Sequence, residues 1–371
     1  MLNILSNRIY RHLFMAQVIA LIGTGLATVA LGLLAYELAG DRAGAVLGTA
    51  LAIKMSAYIL VAPVAAAFAD KFPRRSMLVT LDLVRALVAI ALPFVTQIWE
   101  IYILIFILQS ASAAFTPTFQ ATIPEILPDE REYTRALSLS RLAYDLESVI
   151  SPMLAAALLA VMSFHNLFAG TAVGFIASAL LVVSVRLPKM KALTVKRSIY
   201  DKTTRGMRIF LKTPRLRGLL ALNMAVAAAS AMVIVNTVVL VQANFGFSQR
   251  STAIALACFG IGSMLSALIL PRLLDKMSDR MPMLVGTSLL VIGLGLGILL
   301  KNYVTLLVLW ALLGVGYSLS QTPSGRLLRR SSKAEDRPAL FAAQFALSHS
   351  CWLVTYPLAG WVGATWGTQA S

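Results

Sequence analysis

Eleven long apolar segments separated by short polar stretches constrain the fold of this 371-residue chain more than any other feature. Each segment is about 20 residues or longer, the length that a helix needs to cross the ~30 Å hydrocarbon core of a bilayer. They cover residues 11–38, 44–68, 76–96, 100–123, 137–162, 167–187, 217–243, 251–274, 281–300, 303–327 and 338–366. Because lipid offers the backbone no hydrogen-bond partners, the sequence predicts an all-α membrane protein with eleven transmembrane helices.

The composition excludes a soluble globular domain. Hydrophobic residues make up 58% of the chain, charged residues only 13%, and the mean hydropathy is +0.80. The formal charge of +16 could indicate nucleic-acid binding, but the basic residues fall in the gaps between apolar segments rather than on one solvated face. No phosphate-binding loop or catalytic motif accompanies them. The sequence therefore predicts neither an enzyme nor a nucleic-acid-binding protein, and it predicts no cofactor.

The distribution of Lys and Arg predicts the orientation in the membrane. With the N-terminus inside, the predicted cytoplasmic segments hold 26 of the 32 basic residues. The predicted outer loops hold three, Arg42, Arg250 and Lys301, and three more lie within apolar segments. Such a bias predicts a cytoplasmic N-terminus. We further expect a multi-pass protein of a bacterial inner membrane, with lipid as the surrounding partner and a monomeric chain.

A basic stretch with Pro188 and Pro214 separates six segments from the following five. We expect an N-terminal bundle over 1–187, a cytoplasmic linker over 188–216 with an amphipathic helix at 200–212, and a C-terminal bundle over 217–371. In that helix, Phe210 and Leu211 are expected to face lipid or protein, and Arg205 to be solvated. Asp275, Lys276 and Arg280 faintly repeat Asp70, Lys71 and Arg75, about 205 residues apart, which indicates internal duplication.

The loop between the second and third segments, AAFADKFPRR from Ala66 to Arg75, resembles the corresponding loop of the major facilitator superfamily. Ala69, Asp70, Arg74 and Arg75 match its pattern Gly-x-Leu-Ala-Asp-Arg-x-Gly-Arg-Arg, whereas the other consensus positions differ. An ordinary positive-inside loop explains the basic residues but not Asp70. The resemblance implies two pseudo-symmetric helical bundles that alternate access, with gating residues Asp70, Arg74 and Arg75. Since the family has twelve helices, a twelfth is expected to be missing here, as in a truncated copy.

Six charged residues lie at membrane depth: Lys54, Asp82, Arg85, Arg141, Asp145 and Glu147. Each is costly there unless it is paired or faces a water-filled cavity. Asp82 with Arg85 and Arg141 with Asp145 can pair along their own helices, and we interpret the first pair as a structural clasp near the cytoplasmic gate.

Glu147 and Lys54 have no partner on their own helices, so they are expected to meet across the bundle. Either they form a static bridge, or Glu147 exchanges a proton with the solvent and couples transport to it.

Neutral polar residues add a candidate cavity lining, formed by Gln17, Gln109, Asn223 and Asn236. Helix-packing contacts are the alternative explanation for each of them. His349 and Cys351 are possible ligands for a borderline divalent cation, but residues two apart face different sides of a helix. A hydrogen-bonded packing histidine is the alternative for His349.

Three stretches resemble the nickel-resistance exporters of the superfamily: FTPTFQATIPEILPDE (115–130), LSRLAYDLESVISPM (139–153) and LSHSCWLVTYPLAGW (347–361). Ser151-Pro152 stands where exporters of the superfamily commonly have Gly-Pro, and the arginine expected on the fourth helix of proton-linked drug antiporters is absent. The resemblance implies a proton-coupled efflux antiporter for a divalent metal such as nickel. The alternatives are export of an amphipathic drug or siderophore and, in another class, a non-transporting membrane sensor or a truncated remnant.

Overall fold

The computed structural model describes residues 2–39, 43–68, 72–188, 198–298 and 302–366, and the regular secondary structure in these ranges is helical. This confirms the all-α prediction. The α-helices are α1 (Arg8–Ala39), α2 (Ala43–Phe68), α3 (Arg74–Ala91), α4 (Ile98–Ile126), α5 (Glu130–Leu159), α6 (His165–Val183), α7 (Ile199–Lys212), α8 (Pro214–Val238), α9 (Gln249–Leu274), α10 (Arg280–Gly297), α11 (Tyr303–Gln321), α12 (Ser324–Arg330) and α13 (Arg337–Trp366). Short 3₁₀ turns cover Leu2–Ser6, Leu92–Phe94 and Ala334–Asp336, and a π-helical turn, Val239–Asn244, extends α8.

Nine helical stretches within the described ranges are long and apolar enough to cross a membrane. They correspond to α1, α2, α3, α4, α6, α8, α9, α10 and α11, the last running on through α12. Helices α5 and α13 have 30 residues each, or about 45 Å at the rise of an α-helix, which also exceeds the hydrocarbon thickness. These eleven helices occupy the eleven predicted segments, so the protein crosses the membrane several times.

The described helices pack into two compact units. Unit 1 contains Met1–Glu132, Leu146–Phe210 and Ser332–Ala346, and unit 2 contains Tyr133–Asp145, Leu211–Ser331 and Leu347–Ser371. Helices α5 and α13 therefore each contribute residues to both units. Residues 189–197 of the predicted linker lie outside the described ranges, and the predicted domain boundaries stay a prediction.

In unit 1, α1 packs closely against α6. The backbone of Gly23 lies so near Thr171 that a Cβ on this glycine would stand 3.2 Å from the Thr171 carbonyl oxygen, and Gly174 has the same relation to Ile19. The Thr171 hydroxyl donates a hydrogen bond of 2.8 Å to the Gly23 carbonyl. Small residues at such a crossing let membrane helices gain van der Waals contact where the hydrophobic effect contributes little.

In unit 2, α11 lies at the centre of an apolar cluster. Trp310 is fully buried there with Leu306 and Leu313, and the Trp310 indole donates a hydrogen bond of 2.8 Å to the Thr237 hydroxyl on α8. Helix α9 approaches α11 so closely that a Cβ on Gly314 would overlap the Phe259 carbonyl. The buried indole N–H is thereby satisfied inside an otherwise apolar environment.

Helix α7 gives one basic residue of the linker a specific partner. Phe210 is fully buried and Leu211 is exposed. Arg205 keeps 29% of its side chain exposed, and its guanidinium also pairs with the buried Asp336. Position on the polar face of a helix did not reveal this partner, because the partner is 131 residues away in the sequence.

Candidate transport site

Helix α5 carries three charged side chains at membrane depth, and its start is fixed by the Asp129 side chain. That carboxylate accepts hydrogen bonds from the Arg131 and Glu132 backbone N–H groups, which is a typical helix N-cap. The predicted pair between Arg141 and Asp145 forms in unit 2. Glu147, two residues further along α5, belongs to unit 1.

The Arg141–Asp145 pair lies against an aromatic cluster in unit 2. The Arg141 guanidinium carbon is 4.5 Å from the centroid of the Tyr317 ring, and Tyr317 in turn lies 5.5 Å from the Phe259 ring. Asp145 is buried. A guanidinium that is both ion-paired and stacked on an aromatic face is held in one orientation, so Arg141 presents a fixed, largely neutralised group.

Glu147 is half-buried and lies beside α1. A Cβ placed on Gly25 would be 2.7 Å from Glu147 Oε1 and would overlap the Ser151 side chain. Gly25 therefore provides the space that the carboxylate occupies. The absence of a side chain at position 25, and not a polar residue, creates this feature, and no sequence signal indicated it.

Lys54, on α2 of unit 1, lies beside an aromatic ring that is itself bonded to an amide side chain. Its ammonium is 5.7 Å from the centroid of the Tyr58 ring, whose hydroxyl donates a 2.9 Å hydrogen bond to the Gln109 side chain on α4. The Tyr58 ring also packs 4.9 Å from Phe345 of α13. Tyr58 was missed in the sequence, although its spacing of four residues from Lys54 places it on the same helix face.

Lys54 and Glu147 act on each other electrostatically within unit 1. Among the described residues, however, neither side chain forms an ion pair within 4.0 Å. The static-bridge alternative thus lacks a direct contact, and Glu147 keeps oxygen atoms available for another positively charged group.

Asp82 and Arg85 of α3 form the predicted local pair. Asp82 is fully buried, and its second oxygen accepts a 2.7 Å hydrogen bond from Ser178 of α6. The Arg85 guanidinium lies between two rings, 4.2 Å from the Phe115 centroid and 4.5 Å from that of Phe175. A pair enclosed in this way by α3, α4 and α6 supports the structural-clasp interpretation.

Two of the remaining predicted gating residues, Arg74 and Arg75, lie at the start of α3. Asp70 lies outside the described residues, so its gating role stays a prediction. Arg74 is buried, pairs with Glu125 at 2.6 Å and lies 3.3 Å from the Thr122 hydroxyl, both on α4. Arg75 donates to the Val183 carbonyl at the end of α6. Glu125 was not predicted from the sequence, although its position at the polar end of the fourth segment was an available signal.

The candidate lining residues divide between the two units. Gln17 and Gln109 belong to unit 1, whereas Asn223 and Asn236 belong to unit 2. Asn223 accepts a 3.4 Å hydrogen bond from Gln321, and the Asn236 amide donates to the Ala359 carbonyl at 3.2 Å. These contacts connect α8 to α11 and α13 inside unit 2, and a cavity-lining role for either asparagine stays a prediction.

His349 and Cys351 do not form a metal centre with other residues of the described part of the chain. No cluster of three or more His, Cys, Asp or Glu side chains suitable for a metal ion occurs there. The Cys351 thiol is buried and donates to the Leu347 carbonyl at 3.3 Å. A metal-binding role for either residue stays a prediction.

The chain matches the family model described as Major Facilitator Superfamily over residues 13–239 and 219–371, and it belongs to that superfamily of membrane transporters, which are not enzymes. The human organic anion transporter MFSD10 (TETRAN) has the same fold: its structure aligns with a TM-score of 0.84 at 14% identity, covering 98% of this chain and 95% of that one.

Three curated relatives are similar in sequence. The uncharacterized MFS-type transporter YfiS of Bacillus subtilis is 25% identical over 220 residues, covering 58% of this chain and 52% of YfiS. Macrolide efflux protein A of Enterococcus faecalis is 25% identical over 154 residues, or 39% of this chain and 47% of that protein. Multidrug resistance protein MdtG of Dickeya zeae is 28% identical over 174 residues, or 46% and 42%. The matched region therefore spans about half of the length of each of these relatives.

Proposed function

We propose that this protein is a secondary active exporter of amphipathic organic solutes, driven by exchange with protons at Glu147. The observation that carries the proposal is the placement of Glu147: a half-buried carboxylate at membrane depth that lacks a direct ion pair among the described residues. Such a group is costly to keep ionised in a membrane, and this cost favours a role in binding or releasing a cation. Alternating access would expose it to each side in turn.

The solute class is proposed from two sources. Two of the relatives carry efflux or multidrug-resistance names, which favours export of a drug-like compound. Next to Lys54, the Tyr58 side chain contacts the Phe345 ring and the Gln109 amide, so apolar faces and hydrogen-bonding groups occur together in unit 1. A few polar groups among aromatic side chains are typical of sites for amphipathic ligands.

Nickel export, implied by the sequence resemblance, is the competing proposal. Borderline divalent metals favour imidazole and thiolate ligands. Within the described residues His349 and Cys351 lack the additional ligands that a three-residue centre would need. We therefore rank nickel below an organic solute and include it in the test.

The test uses protein reconstituted in liposomes with an imposed pH gradient. A macrolide, a lipophilic cation, Ni²⁺ and Co²⁺ are offered in parallel, while solute movement and internal pH are recorded together. We expect gradient-dependent movement of an organic solute that Glu147→Gln abolishes. Glu335→Gln is the matched control, because Glu335 is exposed and lies in the short turn before α13.

Two outcomes would contradict the proposal. Gradient-driven transport by Glu147→Gln at the wild-type rate and with the same pH dependence would exclude Glu147 as the coupling group. Gradient-dependent movement of Ni²⁺ without movement of either organic solute would instead support the metal-exporter alternative.

A further inference from the structure

Two side-chain oxygen atoms of α5, little more than one helical turn apart, lie where α5 meets α1. Glu147 Oε1 and the Ser151 side chain both lie around the point that a Cβ on Gly25 would occupy. Residues four apart share one face of a helix, so the two side chains point in the same direction. Both oxygen-bearing groups therefore face the bare backbone of α1 at Gly25, inside unit 1.

The Ser151 hydroxyl is a buried polar group with unused hydrogen-bonding capacity. Ser151 is 1% exposed, and its Oγ has no hydrogen-bond partner among the residues that the structure describes. Thr24 and Thr28 of α1 show the usual alternative, since each donates to the carbonyl four residues earlier at 2.9 Å. Buried hydroxyl groups are ordinarily bonded, so an unbonded hydroxyl beside the Glu147 carboxylate is available to a ligand.

Pro152 leaves a third oxygen of the same helix, a backbone carbonyl, without its helical hydrogen bond. Proline has no backbone N–H, so the Ser148 carbonyl lacks the helical hydrogen bond that residue 152 would otherwise supply. In membrane transporters, carbonyl groups released from helical pairing are available to bind coupling cations. The carboxylate, the hydroxyl and the carbonyl are all hard oxygen ligands, which suit alkali and alkaline-earth ions rather than soft metals.

We infer that Glu147, the Ser148 carbonyl and Ser151 form a binding site for Na⁺, named here the α5 oxygen site. The inference rests on the proposed function, because Na⁺ would occupy the carboxylate assigned to proton coupling. One carboxylate neutralises one monovalent ion, whereas a divalent ion would leave excess positive charge at membrane depth beside Lys54. Sodium and the Lys54 ammonium thus compete for the same negative charge.

The site makes distinct predictions for four residues. Glu147→Gln removes the charge and is expected to abolish Na⁺ binding, while Ser151→Ala removes one ligand and is expected to weaken it roughly tenfold. Gly25→Ala places a methyl group against Glu147 Oε1 and is expected to block binding. Lys54→Met removes the competing cation and is expected to tighten binding, an effect that a purely structural role of Glu147 would not produce.

Gly32→Ala is the matched control for Gly25→Ala. Both glycines lie on α1, seven residues apart, but a Cβ on Gly32 meets no atom within 4 Å. We expect Gly32→Ala to bind Na⁺ as the wild type does. Monodispersity in size-exclusion chromatography identifies variants that remain folded, and the Lys54→Met result stays informative if Gly25→Ala fails to fold.

The experiment measures binding of radioactive ²²Na⁺ to the purified full chain, with K⁺ as competitor, and then repeats the liposome transport assay with and without Na⁺. Saturable binding that Ser151→Ala weakens and Lys54→Met strengthens is the expected result.

Absence of saturable binding by the folded wild type overturns the inference. Proton-driven export that still depends on Glu147 would then leave the proposed function intact. Binding as expected, with wild-type proton-driven export by Glu147→Gln, would keep the sodium site and overturn the proposed coupling instead.

Discussion

Arg205 and Asp336 form a two-point ion pair that joins α7 to the turn preceding α13. Nε and one terminal nitrogen of Arg205 each contact a different carboxylate oxygen, the second at 2.9 Å. The hydrogen bonds to Asp336 raise the pKa of Arg205 above its ordinary value, so the guanidinium keeps its charge throughout the pH range of any assay. Planar, bidentate pairing of this kind is stronger and more directional than a single contact.

Arg205→Gln is expected to lower the stability of the protein by about 1–2 kcal/mol, because it leaves the buried Asp336 without its charged partner. For a chain of this size that corresponds to a decrease of roughly 2 °C in the unfolding midpoint. Thermal unfolding in detergent measures it. Arg208→Gln is the control, since Arg208 pairs with Asp201 on the same helix but is largely exposed. Equal decreases for both variants would contradict a special role for Arg205.

Gly206→Ala is expected to separate α7 from α13. A Cβ at this position would overlap the Ala339 carbonyl and lie 3.2 Å from the Ala343 methyl group. Backbone atoms cannot move aside as a flexible side chain can, so we expect a loss of about 2–3 kcal/mol. Gly218→Ala, on α8, meets no atom within 4 Å and should be neutral or slightly stabilising through its higher helix propensity. Unfolding midpoints that rise together in the two variants would argue against this close contact.

The sequence predicted the positions of the long apolar helices well because hydropathy follows directly from the medium that surrounds each helix. It also predicted the pairs Asp82–Arg85 and Arg141–Asp145, since three- and four-residue spacings place side chains on one helix face. Partners on other helices were not predictable in this way. The bonds from Arg74 to Glu125, from Asp82 to Ser178 and from Arg205 to Asp336 depend on which helices pack together.

In the candidate site, too, contacts between different helices could not be predicted from the sequence. Glu147 and Lys54 were recognised because an unpaired charge at membrane depth is conspicuous in any sequence. Gly25 was not recognised, because a glycine in a membrane helix has no chemical signal of its own. Its importance follows only from the approach of α5 to α1, which places Glu147 and Ser151 against its backbone.

Asp82→Asn is expected to reduce the yield of folded protein severely. It leaves the Arg85 guanidinium charged and enclosed by Phe115 and Phe175 without its counterion, a change that costs about 3–5 kcal/mol for a buried pair. Fluorescence-detected size-exclusion chromatography of a tagged protein measures the yield. The double variant Asp82→Asn/Arg85→Met removes both charges and should recover most of it. A double variant as poor as the single one would contradict the clasp.

Glu125→Gln is expected to loosen the start of α3, because Arg74 loses its charged partner and retains the Thr122 hydroxyl. A cysteine introduced at the exposed Phe72 then reports on the adjacent segment. We expect faster labelling by a membrane-impermeant maleimide in Glu125→Gln than in the otherwise unaltered Phe72→Cys background. Glu132→Gln, on α5, is the control for the loss of a carboxylate. Identical labelling rates in all three proteins would exclude the Arg74–Glu125 pair as a restraint on this segment.

Arg141→Lys is expected to be harmful although it conserves the charge. Lysine can still reach Asp145 four residues along α5, but it cannot lay a planar guanidinium over the Tyr317 ring, which is 4.5 Å away in the wild type. The stacking contributes about 1 kcal/mol, so the unfolding midpoint should fall measurably. Tyr317→Leu should cause a similar loss, and the double variant should lose little more than either single one, because both remove the same contact. Fully additive losses in this double-mutant cycle would show that Arg141 and Tyr317 act independently.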